Sequence, residues 1–145
     1  MENSKASTGD HVIDLDADPH IPYEGWKVKE HRKGGQFTWD PVKLQLYLSE
    51  DQKDNKIVGS ELCCFELADK PTLNANLLDY LLDHPDLIPE EWKGKAVFFW
   101  GTIYRDSKGY QMVRYLGFGV SRWERDYGWL DGYFGAGDPA VILAR

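Results

Sequence analysis

Polar and apolar positions alternate most cleanly in PVKLQLYLSE. Val42, Leu44, Leu46 and Leu48 take one side and Lys43, Gln45 and Tyr47 the other, which is the period of a half-buried strand. Upstream, Val12, Ile13 and Leu15 suit a short edge strand that Pro19 and Pro22 interrupt, and GWKVKEHRKGG ends in a glycine pair that reads as a turn. The polar run SEDQKDNK predicts a loop. Ile57, Val58 and Gly59 then lead into a short helix with Ser60 as its N-cap and Leu62, Cys63, Phe65 and Leu67 as its buried stripe. A stronger helix follows, capped by Thr72 or Asn74. Leu77, Leu78, Leu81 and Leu82 fall at helical spacing with Tyr80, and Pro85 stops it. Pro89 suits a first helical position, with Glu90 and Glu91 in the first turn and Trp92 turned inward.

From Ala96 the pattern changes to that of a sheet: AVFFWGTIYR, YQMVRYLGFG and RWERDYGWLDGYF are rich in aromatic and β-branched residues and punctuated by glycine. DSKG between Tyr104 and Tyr110 predicts a type I turn in a tight hairpin, with Asp106 opposite Tyr110 and Gly109 at positive φ. That register puts Phe98, Trp100, Thr102 and Tyr104 on one face with Met112, Arg114, Leu116 and Phe118. Val97, Phe99, Gly101, Ile103, Val113 and Tyr115 then share the other. In residues 122–130 the alternation puts Trp123, Arg125, Tyr127 and Trp129 on one side. The closing GDPAVILAR fits either a helix opened by Asp138 and Pro139 or a strand through Val141 and Ile142.

The expected fold class is α+β: an antiparallel sheet of about four to six strands, a C-terminal aromatic meander, and two helices packed on one face. Residues 1–10 are polar and aperiodic and read as a flexible N-terminal tail, leaving residues 11–145 as a single domain. Cys63 and Cys64 are adjacent and ill placed to bridge one another, which suits a reducing compartment. No apolar run has the length of a signal segment or a membrane span, so the expected location is the cytoplasm, with no membrane partner. Charge is uneven. Residues 1–95 carry 11 Lys/Arg against 19 Asp/Glu, whereas residues 96–145 carry 6 against 5, within a net charge of −7. An acidic chain repels phosphate backbones, so no nucleic-acid partner is expected.

Candidate chemistry is thin. His11, Asp14, Asp16, Asp18 and His20 resemble a metal cluster, but Pro19 stands where a calcium loop wants glycine and Gly25 where it wants the bidentate Glu. No metal site and no cofactor are expected. The cysteines lack a CxxC spacing and a neighbouring base, and His84 suits a C-terminal helix cap better than catalysis. HRKGG lacks the Walker spacing, no serine lies in a GxSxG elbow, and the pairs Glu90/Glu91 and Glu124/Asp126 suit solvated charge. No catalytic residue emerges and the chain reads as a non-enzyme, with a cysteine-dependent enzyme as a remote alternative.

The meander holds 12 of the 20 aromatic residues, more large rings than one face of three strands usually hides. With Leu77, Leu81 and Leu82 covering Phe99, Ile103, Val113 and Tyr115, the opposite face presents Trp100, Tyr104, Arg114, Trp123, Arg125, Tyr127 and Trp129 as the candidate binding residues. Arginines interleaved with rings suit protein interfaces and ligand platforms. The expectation is a protein-interaction or self-association module using this aromatic face, with a small-ligand or glycan-binding module through Trp100, Tyr104 and Arg114 as the alternative. The competing possibility is that the N-terminal strands or the C-terminal segment cover the face.

The stretches WKVKEHRKGGQFTWD, LNANLLDYLL, LIPEEWKGK, FFWGTIYRDSKG and VRYLGF resemble those of a family of small bacterial proteins with no assigned activity. The resemblance spans roughly residues 11–143 and is most specific from Leu73 to Arg105. It implies a bacterial cytosolic protein and implies no activity. Relatives of this pattern carry a further tryptophan after YL, where this chain has Gly117 and Phe118.

Overall fold

The computed structural model describes residues 11–144. The tail expected at residues 1–10 lies outside them. Eleven strands and three α-helices follow in chain order. The strands are β1 (Val12–Asp14), β2 (Lys27–His31), β3 (Gln36–Thr38), β4 (Leu44–Tyr47), β5 (Ile57–Val58), β6 (Val97–Phe98), β7 (Thr102–Arg105), β8 (Gln111–Phe118), β9 (Trp123–Trp129), β10 (Tyr133–Phe134) and β11 (Ala140–Leu143). The helices are α1 (Glu50–Asp54), α2 (Gly59–Glu61) and α3 (Ala75–Asp83). The class is α+β, as the alternation of patterns predicts.

One sheet of seven strands dominates, with β8 at its centre. One edge of β8 pairs with β9 along its whole length; the other is shared by β7 and then β6. From there β2 extends the β7 side, while β11 and β4 extend the β6 side. The sheet is therefore larger than the four to six strands expected, and it is not wholly antiparallel, because β11 runs parallel to β6. GDPAVILAR thus closes as a strand, and not as a helix, since Val141 and Ile142 fill a gap between β6 and β4. Two small antiparallel pairs, β1 with β3 and β5 with β10, complete the strand set.

The DSKG hairpin forms as its residues predict. Asp106 N–H donates to Tyr110 C=O at 2.9 Å, Gly109 sits at φ +92°, and the Asp106 carboxylate accepts from the backbone of Lys108 and Tyr110. Tyr104 therefore faces Met112. Six residues further back the predicted register has failed: Phe98 pairs with Tyr115 and Val97 with Leu116. Between β6 and β7 the strand breaks at Phe99–Gly101, where Gly101 N–H donates to Leu73 C=O at 2.9 Å. A Cβ on Gly101 would lie 2.7 Å from that carbonyl, so only glycine admits the loop before α3. The break moves Phe98 and Trp100 to the face opposite Tyr104.

Both faces of the sheet carry a buried core. On one, Leu77, Leu78 and Leu81 of α3 pack with Val97, Phe99, Leu116 and Val141, each leucine contributing about 1.5–3 kcal/mol by burial. Asn74 caps α3 by accepting from Asn76 N–H at 3.0 Å, and His84 ends it with Nδ1 3.0 Å from Tyr80 C=O. On the other face, Leu62 and Leu67 pack with Phe98, Trp100, Ile103, Val113 and Phe134. The two helical segments thus lie on opposite faces, contrary to the single-sided packing expected. After α2 the chain continues through Leu62–Glu66 as a π-turn, with Leu67 N–H donating to Leu62 C=O at 2.9 Å. The extra residue in that turn rotates Phe65 outward to 79 % exposure, so the expected stripe of Leu62, Cys63, Phe65 and Leu67 buries only its two leucines fully.

The polar run expected to be a loop contains α1 instead. Ser49 and Gln52 form a reciprocal capping box, and the Gln52 amide then donates to the carbonyls of Gly135 and Asp138. In PVKLQLYLSE only Leu44–Tyr47 is strand, because Asp40 caps a preceding single turn at Pro41–Lys43 that leaves Val42 exposed.

Candidate functional site

Strand β9 carries the stripe Trp123, Arg125, Tyr127 and Trp129, which face Phe118, Leu116, Arg114 and Met112 of β8. The stripe therefore shares a face with Tyr104 and Arg114. Trp100 does not join them; it lies 3 % exposed on the far side, against Phe98 and Phe134, with its indole Nε1 buried and without a partner among the described residues.

Tyr104 and Arg114 are on the stripe's face but have no surface to offer, since their exposures are 0 % and 1 %. Helix α3 covers Arg114, whose guanidinium makes two bonds to Asp79, at 2.8 and 3.1 Å. Burial lowers the Arg114 pKa, but the hydrogen bonds and charge of Asp79 more than offset it and the net direction is up. Tyr104 donates to His20 C=O at 2.8 Å, and burial raises the pKa of its hydroxyl. Trp26 closes over both β7 and β9, with ring centroids 5.4 Å from Tyr104 and 4.9 Å from Tyr127. The segment before β2 thus covers the inner half of the aromatic face. The small-ligand reading rested on Trp100, Tyr104 and Arg114, and all three are core.

The outer half stays open. Trp129 is 43 % exposed and stands edge-on to Tyr110, itself 51 % exposed, at 5.8 Å. Tyr127 bridges Trp129 to Tyr23, and the Arg125 guanidinium sits 5.6 Å from the Tyr23 ring. Trp123 is half-buried against Phe118. Tyr23, Tyr110, Arg125 and Trp129 therefore form one continuous surface strip. Tyr23 and Tyr110 escaped the sequence reading: Tyr23 is remote along the chain, and Tyr110 belongs to the hairpin turn.

The backbone of β9 adds a second property. Leu130 N–H donates to Gln111 C=O and Gly119 N–H to Arg122 C=O, which sets the phase of the β8 ladder. Even-numbered residues of β9 thus point their amides at β8, and Trp123, Arg125, Tyr127 and Trp129 point theirs away. Among the described residues β9 has no strand partner besides β8. Tyr127 N–H is met only by the carboxylate of Asp126, at 2.8 Å.

Other candidate chemistry resolves into local structure. Asp16 accepts from the backbone of Gly34 and Gly35 at 3.1 and 2.9 Å, so the glycine pair of HRKGG grips an anion that the chain itself supplies. His11 Nδ1 lies 2.6 Å from the Tyr80 hydroxyl, while the His20 carbonyl accepts from the Tyr104 hydroxyl. Among the described residues no group of three or more His, Cys, Asp and Glu is placed to hold a metal. Cys63 and Cys64 line a cleft of about 290 Å³ with Lys29, Glu30, Ser60 and Asp131. Burial, then the neighbouring Cys64 and Glu30, push the Cys63 thiol up, away from a nucleophilic thiolate. No helix among the described residues is long and apolar enough to cross a membrane.

No protein-family model matches the chain, and no curated protein or solved structure matches it either.

Proposed function

We propose that this chain is a non-enzymatic protein-interaction or self-association module that docks through β9. The observation that carries the reading is the coincidence of an exposed ring on β9, Trp129, backed by Tyr110, with a backbone edge of the same strand that is unpaired among the described residues. A free edge supplies main-chain hydrogen bonds to an incoming strand, and alternating side chains supply selectivity. Trp and Tyr with an interleaved Arg are the residue types that carry binding energy at interfaces. The raised thiol of Cys63 argues against the cysteine-enzyme alternative.

The test is a photo-crosslinking amino acid at position 125, used in intact cells, with Trp129→Ala as the comparison. The reading expects a defined protein or a second copy of the chain to be captured, and the capture to be lost in Trp129→Ala while its melting temperature stays near the parent's. Absence of any defined crosslink, or loss of stability in Trp129→Ala as large as that of a core tryptophan, overturns it.

A further inference from the structure

We propose that the occupant of the β9 edge is β9 of a second copy, paired antiparallel about a two-fold axis at Tyr127. The inference rests on the interaction reading above and adds the identity of the partner and the register.

The outward-pointing amides belong to Trp123, Arg125, Tyr127 and Trp129, so a two-fold antiparallel pairing must set these odd positions against one another. Only a few registers satisfy that condition, and charge separates them. Centring on Arg125 places the two guanidiniums opposite each other and Glu124 opposite the partner's Asp126. Centring on Asp126 sets two carboxylates at the axis, in the closer, non-hydrogen-bonded type of pair, and centring on Glu124 does the same with glutamates. Centring on Tyr127 is the longest register within β9 that opposes no like charges. It puts Arg125 across from the partner's Trp129 on the aromatic face, a cation beside a ring, and Tyr127 across from the partner's Tyr127.

The other face of the strand agrees. In this register Asp126 lies opposite the partner's Gly128, and Glu124 opposite the partner's Leu130. Gly128 is closely packed within its own subunit, where a Cβ would lie 3.1 Å from the Phe98 ring. The exposed Trp129 then borders the added strand on both sides of the axis, with Tyr110 edge-on behind it on the β8 side. Asp126 is the opposing element: its carboxylate caps the Tyr127 N–H that the partner strand needs, so it blunts the edge until displaced.

The experiment is light-scattering mass measurement over a concentration series to roughly 100 μM, under reductant to exclude bridges through the exposed Cys64, together with amide hydrogen exchange. The expected result is a shift from one to two copies, with slowed exchange at Arg125, Tyr127 and Trp129 as the dimer fills. Arg125→Pro deletes one outward donor that β8 does not use, and Arg125→Glu keeps the backbone while reversing the charge opposite Trp129. Each should weaken the dimer at least about tenfold. Asp126→Ala should strengthen it. A chain that stays monomeric, or a dimer whose outward amides exchange as fast as the monomer's, overturns the self-pairing. If that monomer still crosslinks to another protein through position 125, the interaction reading survives without it, and if nothing is captured both fall.

Discussion

Asp79 of α3 and Arg114 of β8 form a two-pronged ion pair in which the guanidinium is 1 % exposed and the carboxylate 28 %. The pair ties the main helix to the central strand. A charge so deeply buried is tolerated only while its partner stays in place.

Removing one partner should therefore cost far more than removing both. Asp79→Ala leaves an uncompensated guanidinium under α3 and should destabilise the fold by about 3 kcal/mol or more. Arg114→Met combined with Asp79→Ala should recover most of that loss, since methionine fills the space without a charge to desolvate. Urea unfolding of the two single variants and the double variant measures the coupling. Strictly additive losses would contradict a buried, mutually dependent pair.

Gly101 tests the strand break that sets the two faces of the sheet. Its missing Cβ makes room for the backbone of Leu73 and Asn74 at 2.7 to 2.8 Å, and backbone cannot rotate aside as a side chain can. Gly101→Ala should cost about 3 kcal/mol or more. Gly137→Ala, where nothing lies within 4 Å, should change stability by less than about 0.5 kcal/mol. Comparable melting temperatures for the two variants would mean that the Leu73 loop does not pack on Gly101.

The same break explains what the sequence could and could not disclose. The DSKG turn was legible because Asp106 and Gly109 act within a few residues of themselves, and the register beside it followed. Alternation alone puts Phe98 and Trp100 on the wrong face, because the shift at Phe99–Gly101 accompanies the contact with Leu73, a residue that local alternation does not see. Phe65 departs from its expected burial for a related reason: a π-turn changes the helical phase without leaving a mark in the apolar pattern. The β9 stripe was readable as one face. That Trp26 and α3 would cover Tyr104 and Arg114 beside it was not, since those covers come from distant parts of the chain. The capping box Ser49–Gln52 is written in the sequence, but the polar run that follows it carries no apolar stripe to announce a helix.

The two cysteines should separate under a thiol reagent at neutral pH. Cys64 is exposed, whereas Cys63 is partly buried, with its pKa raised first by that burial and then by Cys64 and Glu30. Cys63 should label at least about tenfold more slowly than the exposed Cys64 until the chain is unfolded. A raised folded-state pKa favours the protonated thiol in the native state. Its contribution is therefore full below the unfolded thiol value of about 8.5 and declines as pH rises through the folded value. The stability difference between the parent and Cys63→Ala should shrink accordingly as pH is raised past about 9. Fast labelling of Cys63 in the native protein at pH 7 would reopen the case for a reactive cysteine.

Trp129 and Trp92 distinguish a ring kept for contact from a ring kept for folding. Trp92 is 4 % exposed in the cluster beneath α3, with Phe99 edge-on at 6.5 Å, so Trp92→Ala should empty a core site and cost about 3 to 5 kcal/mol. Trp129 touches only Tyr127 and Tyr110 among the rings and leaves 43 % of its surface to solvent, so much of its apolar area gains nothing from folding. Trp129→Ala should cost less than about 1.5 kcal/mol in the monomer. Thermal and urea unfolding at low micromolar concentration, where association is minimal, isolates the folding term. Equal losses for the two tryptophans would place Trp129 in the core and remove the reason for assigning the strip to a partner.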